Sequence, residues 1–331
     1  FSIKNWRMSQ RINLKRRMFY EMNKFSTVTV AAAQYGVEFL GSWATYARKL
    51  ERMVGEAAQA GAQVLIFPEY ASLELASLFS ADVYQSLHKQ LDVLQACLPA
   101  FIQLHQELAQ AYDVYLVASS FPVQLADGRF RNRAYFCTPN GELHFQDKMI
   151  MTRFENEIWY IDPGDEIKVF DTHYGPMGIA ICYDAEFPLI ARRQVEMGAK
   201  IILTPSCTDT LAGYNRVRIG CRARALENQC YVVMSPVVGT IDWSPALDFN
   251  IGAAGIYTPV DVGFPGDGIL AAGELNKPQW VIAALDLDRI EQVRADGQVL
   301  NYQDWAKQAA TTTTVQVSCT ISVAESLAVR A

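Results

Sequence analysis

Short apolar runs alternate with longer amphipathic stretches along most of this chain, and this alternation limits the possible folds more than any other feature. The runs at residues 28–34, 64–67 and 114–119 have the length of buried strands. A helical pattern at residues 43–59 separates the first two runs, and a long helical pattern at residues 83–111 precedes the third. Such an alternation predicts an α/β domain in which helices cover mixed sheets.

Two hairpin signals interrupt the alternation: Pro139-Asn140-Gly141 between strands predicted at 131–138 and 143–147, and Tyr174-Gly175 between strands predicted at 167–171 and 177–182. The second half of the chain adds a helix after Pro188, strands at 201–205, 231–238 and 280–287, and helices at 215–228 and 289–294. We therefore expect a single domain at residues 26–305. A basic tail at residues 1–25 would precede it, and a C-terminal arm at residues 306–331 would follow.

Charge is distributed unevenly along the chain. The formal net charge is −6, but the first 24 residues carry +6, so the remainder carries −12. An acidic main domain argues against a nucleic-acid-binding surface there. Trp6 and Phe19 lie among the basic residues of the tail, a composition compatible with contact to RNA or membrane. We interpret the tail as a linker or as the end of an upstream domain.

The apolar residues and the cysteines indicate the cellular compartment in which the protein functions. No apolar run approaches the ~20 residues that a membrane span requires, so we expect a soluble protein. The seven cysteines are odd in number, widely spaced and free of any CxxC motif, which fits neither a disulfide framework nor a zinc site. The four histidines are equally scattered. These features favour a cytoplasmic protein without a metal or other cofactor.

Three chemically capable side chains stand at the ends of predicted strands. Glu69 follows a buried strand that Pro68 terminates, Lys148 follows the strand at 143–147, and Cys182 precedes a bend towards a helix. Taken singly, they are typical of a solvated loop acid, a lysine at a sheet edge and a buried structural thiol. Taken together, they supply a base, a cation and a nucleophile, since a thiol needs a neighbouring base or positive charge to react.

In this order the three segments resemble the nitrilase (carbon–nitrogen hydrolase) superfamily, and the resemblance covers residues from about 27 to 305. Four more segments fit the family: Asn132-Arg133-Ala134, Pro163-Gly164-Asp165, Leu203-Thr204-Pro205-Ser206 and Arg222-Ala223-Arg224-Ala225-Leu226-Glu227-Asn228. The resemblance implies a four-layer αββα sandwich, with two mixed sheets flanked by helices. It also implies self-association into a homodimer or a larger assembly.

The resemblance also implies roles for individual residues. Glu69 would be the general base, and Cys182 would form a thioester acyl-enzyme while ammonia or an amine is released. Lys148 and the backbone N–H of Tyr183 would stabilise the oxyanion. Many members carry a second glutamate after the lysine, for which Glu155 is preferred here and Glu157 remains open.

The residues around the cysteine suggest what the substrate is. Tyr183-Asp184 favours a linear amide over a nitrile, and Asp184 and Ser206 join Tyr183 as candidate oxyanion or substrate-binding residues. Related enzymes that grip a substrate carboxylate carry arginine where this chain has Glu186. We therefore hypothesise a neutral or amine-bearing small-molecule amide whose cationic end faces Glu186. The alternative is that Glu186 pairs with Arg192 or Arg193.

Rival interpretations remain open at this point. A Cys–His enzyme would need a histidine near Cys182, and His144 shares a strand face with Lys148, although an ordinary strand histidine explains it as well. The same fold could also support a soluble N-acyltransferase, or a relative that binds without catalysing.

Overall fold

A computed structural model describes residues 26–310. The basic tail predicted at residues 1–25 lies outside the described residues, as does most of the arm predicted at residues 306–331. The part of the arm that is described forms a 3₁₀ turn, Trp305–Ala310. The domain boundaries therefore stay predictions.

Strands make up most of the described core. They are β1 (Thr27–Gly36), β2 (Val64–Ile66), β3 (Tyr115–Gln124), β4 (Phe130–Cys137), β5 (Leu143–Asp147), β6 (Val169–Phe170), β7 (Met177–Ile179), β8 (Ile201–Ser206), β9 (Tyr231–Thr240), β10 (Phe249–Asn250), β11 (Gly255–Tyr257), β12 (Ile269–Ala272) and β13 (Gln279–Asp286). The strand order separates them into two six-stranded mixed sheets, β5-β4-β3-β2-β1-β13 and β6-β7-β8-β9-β11-β12, with β10 attached to β9. Strands β1, β2 and β3 run parallel, as do β7, β8 and β9.

The two sheets lie face to face and join at one end. The ring centroids of Phe136 on β4 and Phe170 on β6 are 4.9 Å apart, so the inner faces of the sheets are in direct contact. The ends of β1 and β9 pair in parallel through Tyr35 with Val237. This pairing makes the two sheets continuous, and it aligns the carboxyl ends of the central strands of both.

Helices cover the outer face of each sheet. The helices are α1 (Trp43–Gln59), α2 (Ala81–Tyr84), α3 (Lys89–Leu94), α4 (Leu98–Ala111), α5 (Arg153–Glu157), α6 (Pro188–Glu196), α7 (Leu211–Asn228), α8 (Leu287–Asp296) and α9 (Asn301–Asp304). Leu50 of α1 and Phe101 of α4 share a buried cluster with Leu65 of the first sheet. Val195 of α6 and Cys221 of α7 pack against the second sheet. The four layers confirm the predicted αββα sandwich.

Two predicted elements are wrong in their extent. The helix predicted at residues 83–111 is broken into α2, α3 and α4, and Pro99, which has no N–H for a preceding turn, stands at the start of α4. The strand predicted at residues 177–182 ends at Ile179, and the backbone becomes left-handed at Cys182, where φ is 49°. The sequence pattern also missed α5, α9, β10, β11 and β12, which are each five residues or shorter, and the 3₁₀ helix Ala71–Leu78.

None of the helices within residues 26–310 has both the length and the apolar character that crossing a membrane would require.

Candidate active site

The candidate catalytic side chains meet at the carboxyl ends of the parallel strands. Glu69 lies three residues beyond β2, Cys182 lies three beyond β7, and Lys148 directly follows β5. Cys207 follows β8 and completes the group. Segments far apart in sequence thus converge at one sheet edge, the usual position for an active site in α/β folds.

Lys148 is the centre of a buried ion cluster. Its Nζ lies 2.8 Å from Oε1 of Glu69 and 2.6 Å from Oε2 of Glu155. The three side chains are almost completely buried. Burying one ammonium between two carboxylates stabilises it strongly, and removal of the ammonium would leave two desolvated negative charges.

Two residues that the sequence did not suggest as site residues complete this cluster. Asn132 Nδ2 donates to Glu69 Oε1 at 2.8 Å and to Glu155 Oε1 at 2.9 Å. The Tyr70 hydroxyl donates to the same Glu155 oxygen at 2.9 Å. Asn132 belongs to the Asn132-Arg133-Ala134 segment, which was a signal for the family but carried no role. Tyr70 had only its position beside Glu69 as a signal.

The structure brings Glu155, and not Glu157, to Lys148. Thr152 caps α5, its backbone N–H donates to Glu155 Oε2 at 2.9 Å, and Glu155 N–H returns a bond to the Thr152 hydroxyl. This reciprocal capping box turns Glu155 inward. Glu157 pairs on the surface with Arg153 at 2.7 Å. The spacing of threonine and glutamate was a usable signal in the sequence, since a capping box fixes which acid faces the helix start.

Cys182 opens a 3₁₀ turn in a backbone conformation that residues other than glycine rarely adopt. Its thiol donates to the carbonyl of Cys207 at 3.7 Å, and the Glu69 carboxylate is close enough to raise the pKa of the thiol. The backbone N–H of Cys207 donates to Glu69 Oε2 at 3.0 Å. Each oxygen of Glu69 is thus fixed by a donor, which orients the carboxylate towards the thiol.

Burial and charge set the protonation states of the cluster. Burial raises the pKa of Glu69, although Lys148 opposes the shift. Burial works against ionisation of Glu155 too, but there the Lys148 ammonium prevails and lowers the pKa. For Lys148, burial is outweighed by the two carboxylates, which raise its pKa well above the usual value. Burial, reinforced by Glu69, raises the pKa of Cys182. The resting thiol of Cys182 is therefore neutral.

These shifts predict how the reaction depends on pH. Protonated Glu69 cannot accept the thiol proton, so activity should fall as the pH drops through the pKa of Glu69. Because burial raises this pKa, the acidic limb of kcat/KM should lie above the ordinary glutamate value of 4.5. A pH–rate profile of the free enzyme measures it directly. A rate that stays constant from pH 7 down to pH 4 would contradict this assignment of the base.

Asp184 holds the segment that carries Lys148. Its carboxylate is buried and accepts the backbone N–H of Ile150 at 2.8 Å and that of Met149 at 3.0 Å. Burial raises the pKa of Asp184 to about 7, although Lys148 and the two N–H donors lower it. Since both oxygens face the backbone beside Lys148, this placement is suited to positioning that segment, and the substrate contact suggested by the sequence stays a prediction.

Replacing Asp184 tests this positioning. The Asp184→Leu variant leaves the N–H groups of Met149 and Ile150 buried without an acceptor, so it should lose roughly 2–6 kcal/mol of unfolding free energy. The Asp184→Asn variant keeps one acceptor oxygen and should lose less. Both should lower kcat, because Lys148 shares this backbone segment. Urea denaturation measures the stability of both variants, and steady-state kinetics measures their kcat. An Asp184→Leu variant as stable as the parent would refute the positioning role of Asp184.

Three other candidate residues lie near the cluster. Ser206 is buried at the end of β8, where its hydroxyl donates to the carbonyl of Ser235 at 3.3 Å. The Tyr183 ring packs edge-on against Phe187 with centroids 4.8 Å apart. Glu186 is partly buried, and its Oε1 lies 3.8 Å from Nε of Arg216.

The structure does not support two alternatives from the sequence. Arg192 pairs with Glu196 at 2.9 Å, and the arginine beside Glu186 is Arg216 on α7. His144 is exposed, with Nε2 3.4 Å from Glu142, so it is not brought to Cys182. Among residues 26–310, no cluster of three or more histidine, cysteine or acidic side chains is arranged to hold a metal ion. The absence of a cofactor stays a prediction.

Comparison with known proteins places the chain in a class. A family model described as carbon–nitrogen hydrolase matches residues 29–295. The chain therefore belongs to the carbon–nitrogen hydrolase family, which is part of the nitrilase superfamily. The motifs in the sequence predicted this family.

Individual relatives share 20–35% sequence identity with this chain. The probable hydrolase YhcX of Bacillus subtilis (strain 168) is 35% identical over 277 residues, which cover 84% of this chain and 53% of YhcX. This chain thus spans about half the length of YhcX. Omega-amidase NIT2-B of Xenopus laevis is 27% identical over 206 residues, covering 60% of this chain and 67% of that protein. The carbon–nitrogen hydrolase structure from Helicobacter pylori G27 shares the fold, with a TM-score of 0.67, 20% identity, and coverage of 85% and 99%.

Proposed function

We propose that this protein is a cysteine-dependent amidase that hydrolyses a linear, non-peptide amide through a thioester. The observation that carries the proposal is that the Cys182 thiol and Glu69 both bond to the backbone of Cys207, the thiol to its carbonyl at 3.7 Å and Glu69 Oε2 to its N–H at 3.0 Å, while Glu69 Oε1 lies 2.8 Å from the buried Lys148. A nucleophile, a base oriented by fixed donors and a cation in one buried site are the requirements of acyl transfer. Amidase-named relatives such as NIT2-B support an amide as the substrate.

Acylation begins when Sγ of Cys182 attacks the carbonyl carbon of the amide, while the thiol proton passes to Glu69. The carbonyl oxygen becomes an oxyanion. Lys148 has three N–H donors, of which two are directed at Glu69 and Glu155, and the third is assigned to the oxyanion together with the N–H of Tyr183. When the intermediate collapses, the C–N bond breaks and Glu69 protonates the departing nitrogen, which releases ammonia or an amine.

Deacylation runs through the same base. Glu69 takes a proton from water as the water oxygen attacks the thioester carbon, and Lys148 stabilises the second oxyanion. The C–S bond then breaks, the carboxylic acid is released, and the proton held by Glu69 returns to the thiolate of Cys182. Glu155 accepts a bond from Lys148, Asn132 donates to Glu69, and Asn132 also donates to Glu155, so the two residues together keep the lysine and the base in register throughout.

Turnover of a panel of linear amides, followed by ammonia release, tests the proposed function. The panel should include aliphatic amides of increasing chain length, a carbamoyl amide and the matching nitriles. The proposal expects turnover of at least one amide and slower turnover of its nitrile. Faster hydrolysis of nitriles than of the matching amides would overturn the substrate class.

The surroundings of Glu186 support an acyl group without a negative charge. The Glu186 carboxylate is partly buried beside the site, and burial raises its pKa although Arg216 and, less strongly, Lys148 lower it. Arg216 lies 3.8 Å away, but its side chain is largely exposed and neutralises the acid incompletely. A substrate carboxylate approaching this position would be repelled.

A substrate pair tests Glu186 directly. We expect kcat/KM for an ω-amino amide to exceed that for the ω-carboxylate amide of equal length by about tenfold or more, and we expect Glu186→Gln to reduce this ratio towards one. Arg216→Gln serves as the matched control and should increase the preference. A parent enzyme that prefers the carboxylate substrate would remove the basis for this part of the proposal.

Self-association and a cytoplasmic location stay proposals. Leu189 on α6, Met197 directly after α6 and Ile219 on α7 are exposed apolar side chains in the two helical segments that follow Cys182 and β8. An exposed apolar face of this kind supports pairing between copies of the chain.

A further inference from the structure

The backbone of Cys207 contacts both the proposed base and the proposed nucleophile. Its N–H donates to Glu69 Oε2 at 3.0 Å, and its carbonyl accepts the Cys182 thiol at 3.7 Å. These two groups belong to consecutive peptide units, so the angle between them depends on the φ and ψ of Cys207. A change in either dihedral would turn the donor away from Glu69 or the acceptor away from Cys182.

The ladders of β8 end before Cys207. The pairing of β8 with β7 stops at Leu203, and its pairing with β9 stops at Ser206, the residue before Cys207. The conformation of Cys207 therefore depends on contacts beyond the strand.

Thr208, the next residue along the chain, is joined to Ile251 by two hydrogen bonds. The N–H of Ile251 donates to the Thr208 carbonyl at 2.8 Å, and the Thr208 hydroxyl donates back to the Ile251 carbonyl at 2.7 Å. Both residues are partly buried, so water competes less for these bonds than it would at the surface. The reciprocal pair restricts rotation of the peptide unit that carries the Cys207 carbonyl.

Asn250 holds the segment that Thr208 contacts. The Asn250 side chain is almost completely buried. Its Nδ2 donates to the Leu247 carbonyl at 2.6 Å and to the Gly239 carbonyl at 3.3 Å, which ties it to the hairpin between β9 and β10. Its Oδ1 accepts the Cys207 thiol at 3.5 Å. The partner of Thr208 is thus part of a fixed support.

We propose that Thr208 is a positioning residue for amide hydrolysis, acting through the backbone of Cys207. Its hydroxyl bond to the Ile251 carbonyl keeps the thiol and the carboxylate at the separation that proton transfer requires. This role rests on the proposed function, in which Cys182 is the nucleophile and Glu69 is the base. A small misplacement of the two groups slows the reacting step, because orientation supplies a large part of enzymatic rate acceleration.

Modification of Cys182 by methyl methanethiosulfonate measures this geometry with a reagent that contains no amide. Sγ of Cys182 forms an S–S bond to the methylthio group, methanesulfinate leaves, and the thiol proton passes to Glu69. Mass spectrometry of the peptide that contains Cys182 gives the rate of modification. Amide turnover gives kcat and KM for the same variants.

Thr208→Val keeps the shape of the side chain and loses the hydroxyl. We expect it to lower the rate of Cys182 modification and kcat by about fivefold or more each, while KM changes by less than about twofold. Thr208→Ser keeps the hydroxyl and should recover both rates to within about threefold of the parent enzyme.

Thr172→Val is the matched control. It loses a hydroxyl bond of the same length, to the Gly175 carbonyl at 2.7 Å, in the turn between β6 and β7 and at the far end of β7 from Cys182. This variant should leave both rates unchanged. The positioning role is overturned if Thr208→Val retains both rates, if Thr208→Ser is as slow as Thr208→Val, or if Thr172→Val slows them equally.

The two proposals fail in different ways. A parent enzyme that hydrolyses no amide, while Thr208→Val still slows the modification of Cys182, would count against the proposed function and leave the positioning by Thr208 standing. Amide turnover that Thr208→Val does not alter would leave the proposed function standing and remove the positioning role.

Discussion

Replacing Cys182 with alanine should abolish amide hydrolysis, with kcat reduced by about 10⁴-fold or more. Glu69 and Glu155 are both engaged by Lys148 and Asn132, and the second thiol of the group, Cys207, donates to Asn250 Oδ1 at 3.5 Å, so Cys182 is the group available to form the acyl-enzyme. Alanine also removes the thiol donor to the Cys207 carbonyl, which is one weak bond, so the fold should persist. Steady-state kinetics and circular dichroism measure the two effects separately.

A matched control distinguishes loss of the nucleophile from loss of a buried thiol. Cys230 is as buried as Cys182, and its thiol likewise donates to a backbone carbonyl, that of Arg224 at 3.6 Å. Cys230→Ala should therefore cost a little stability and retain kcat. If Cys182→Ala retained activity at the level of Cys230→Ala, the protein would not use Cys182 as its nucleophile.

Replacing Lys148 with methionine should affect both catalysis and stability. Loss of one oxyanion donor lowers kcat by about 10²–10³-fold. Removing the ammonium also leaves Glu69 and Glu155 as buried carboxylates without their counter-ion, which should cost about 3–5 kcal/mol of unfolding free energy. Kinetics and urea denaturation of the same variant measure both losses.

The double variant Lys148→Met with Glu155→Gln distinguishes loss of the oxyanion donor from loss of the buried counter-ion. Neutralising Glu155 removes one orphaned charge, so stability should partly recover while kcat remains low. Arg153→Met provides the surface control, because it removes the exposed partner of Glu157 on the same helix and should change neither quantity noticeably. Recovery of activity in the double variant would show that Lys148 acts only as a structural counter-ion.

The candidate reacting groups could be predicted from the sequence because they stand at the ends of strands. The positions of Glu69 and Lys148 follow from apolar runs that terminate at Pro68 and Asp147, and the parallel arrangement of the central strands brings such ends to one edge. The layered fold followed from the same alternation of strands and helices. The capping-box spacing of Thr152 and Glu155 would also have separated Glu155 from Glu157.

The remaining features depend on tertiary contacts that no local pattern specifies. Asn132 contacts both glutamates because β4 and β2 flank β3, and the Cys207 N–H reaches Glu69 because the two sheets join at β1 and β9. The sequence suggested Asp184, two residues after Cys182, as an oxyanion or substrate-binding residue. Its actual partners, the N–H groups of Met149 and Ile150, are more than thirty positions away. Register across strands set these contacts, and one sequence does not reveal it.

Mass spectrometry of the acyl-enzyme tests the central claim most directly. The parent enzyme is mixed with an amide that it hydrolyses, the reaction is quenched with acid during turnover, and the intact protein and its peptides are weighed. The mechanism predicts a mass increase equal to the acyl group, located on the peptide containing Cys182 and removed by hydroxylamine as a thioester. An adduct on another residue, or steady hydrolysis without any adduct on Cys182, would contradict it.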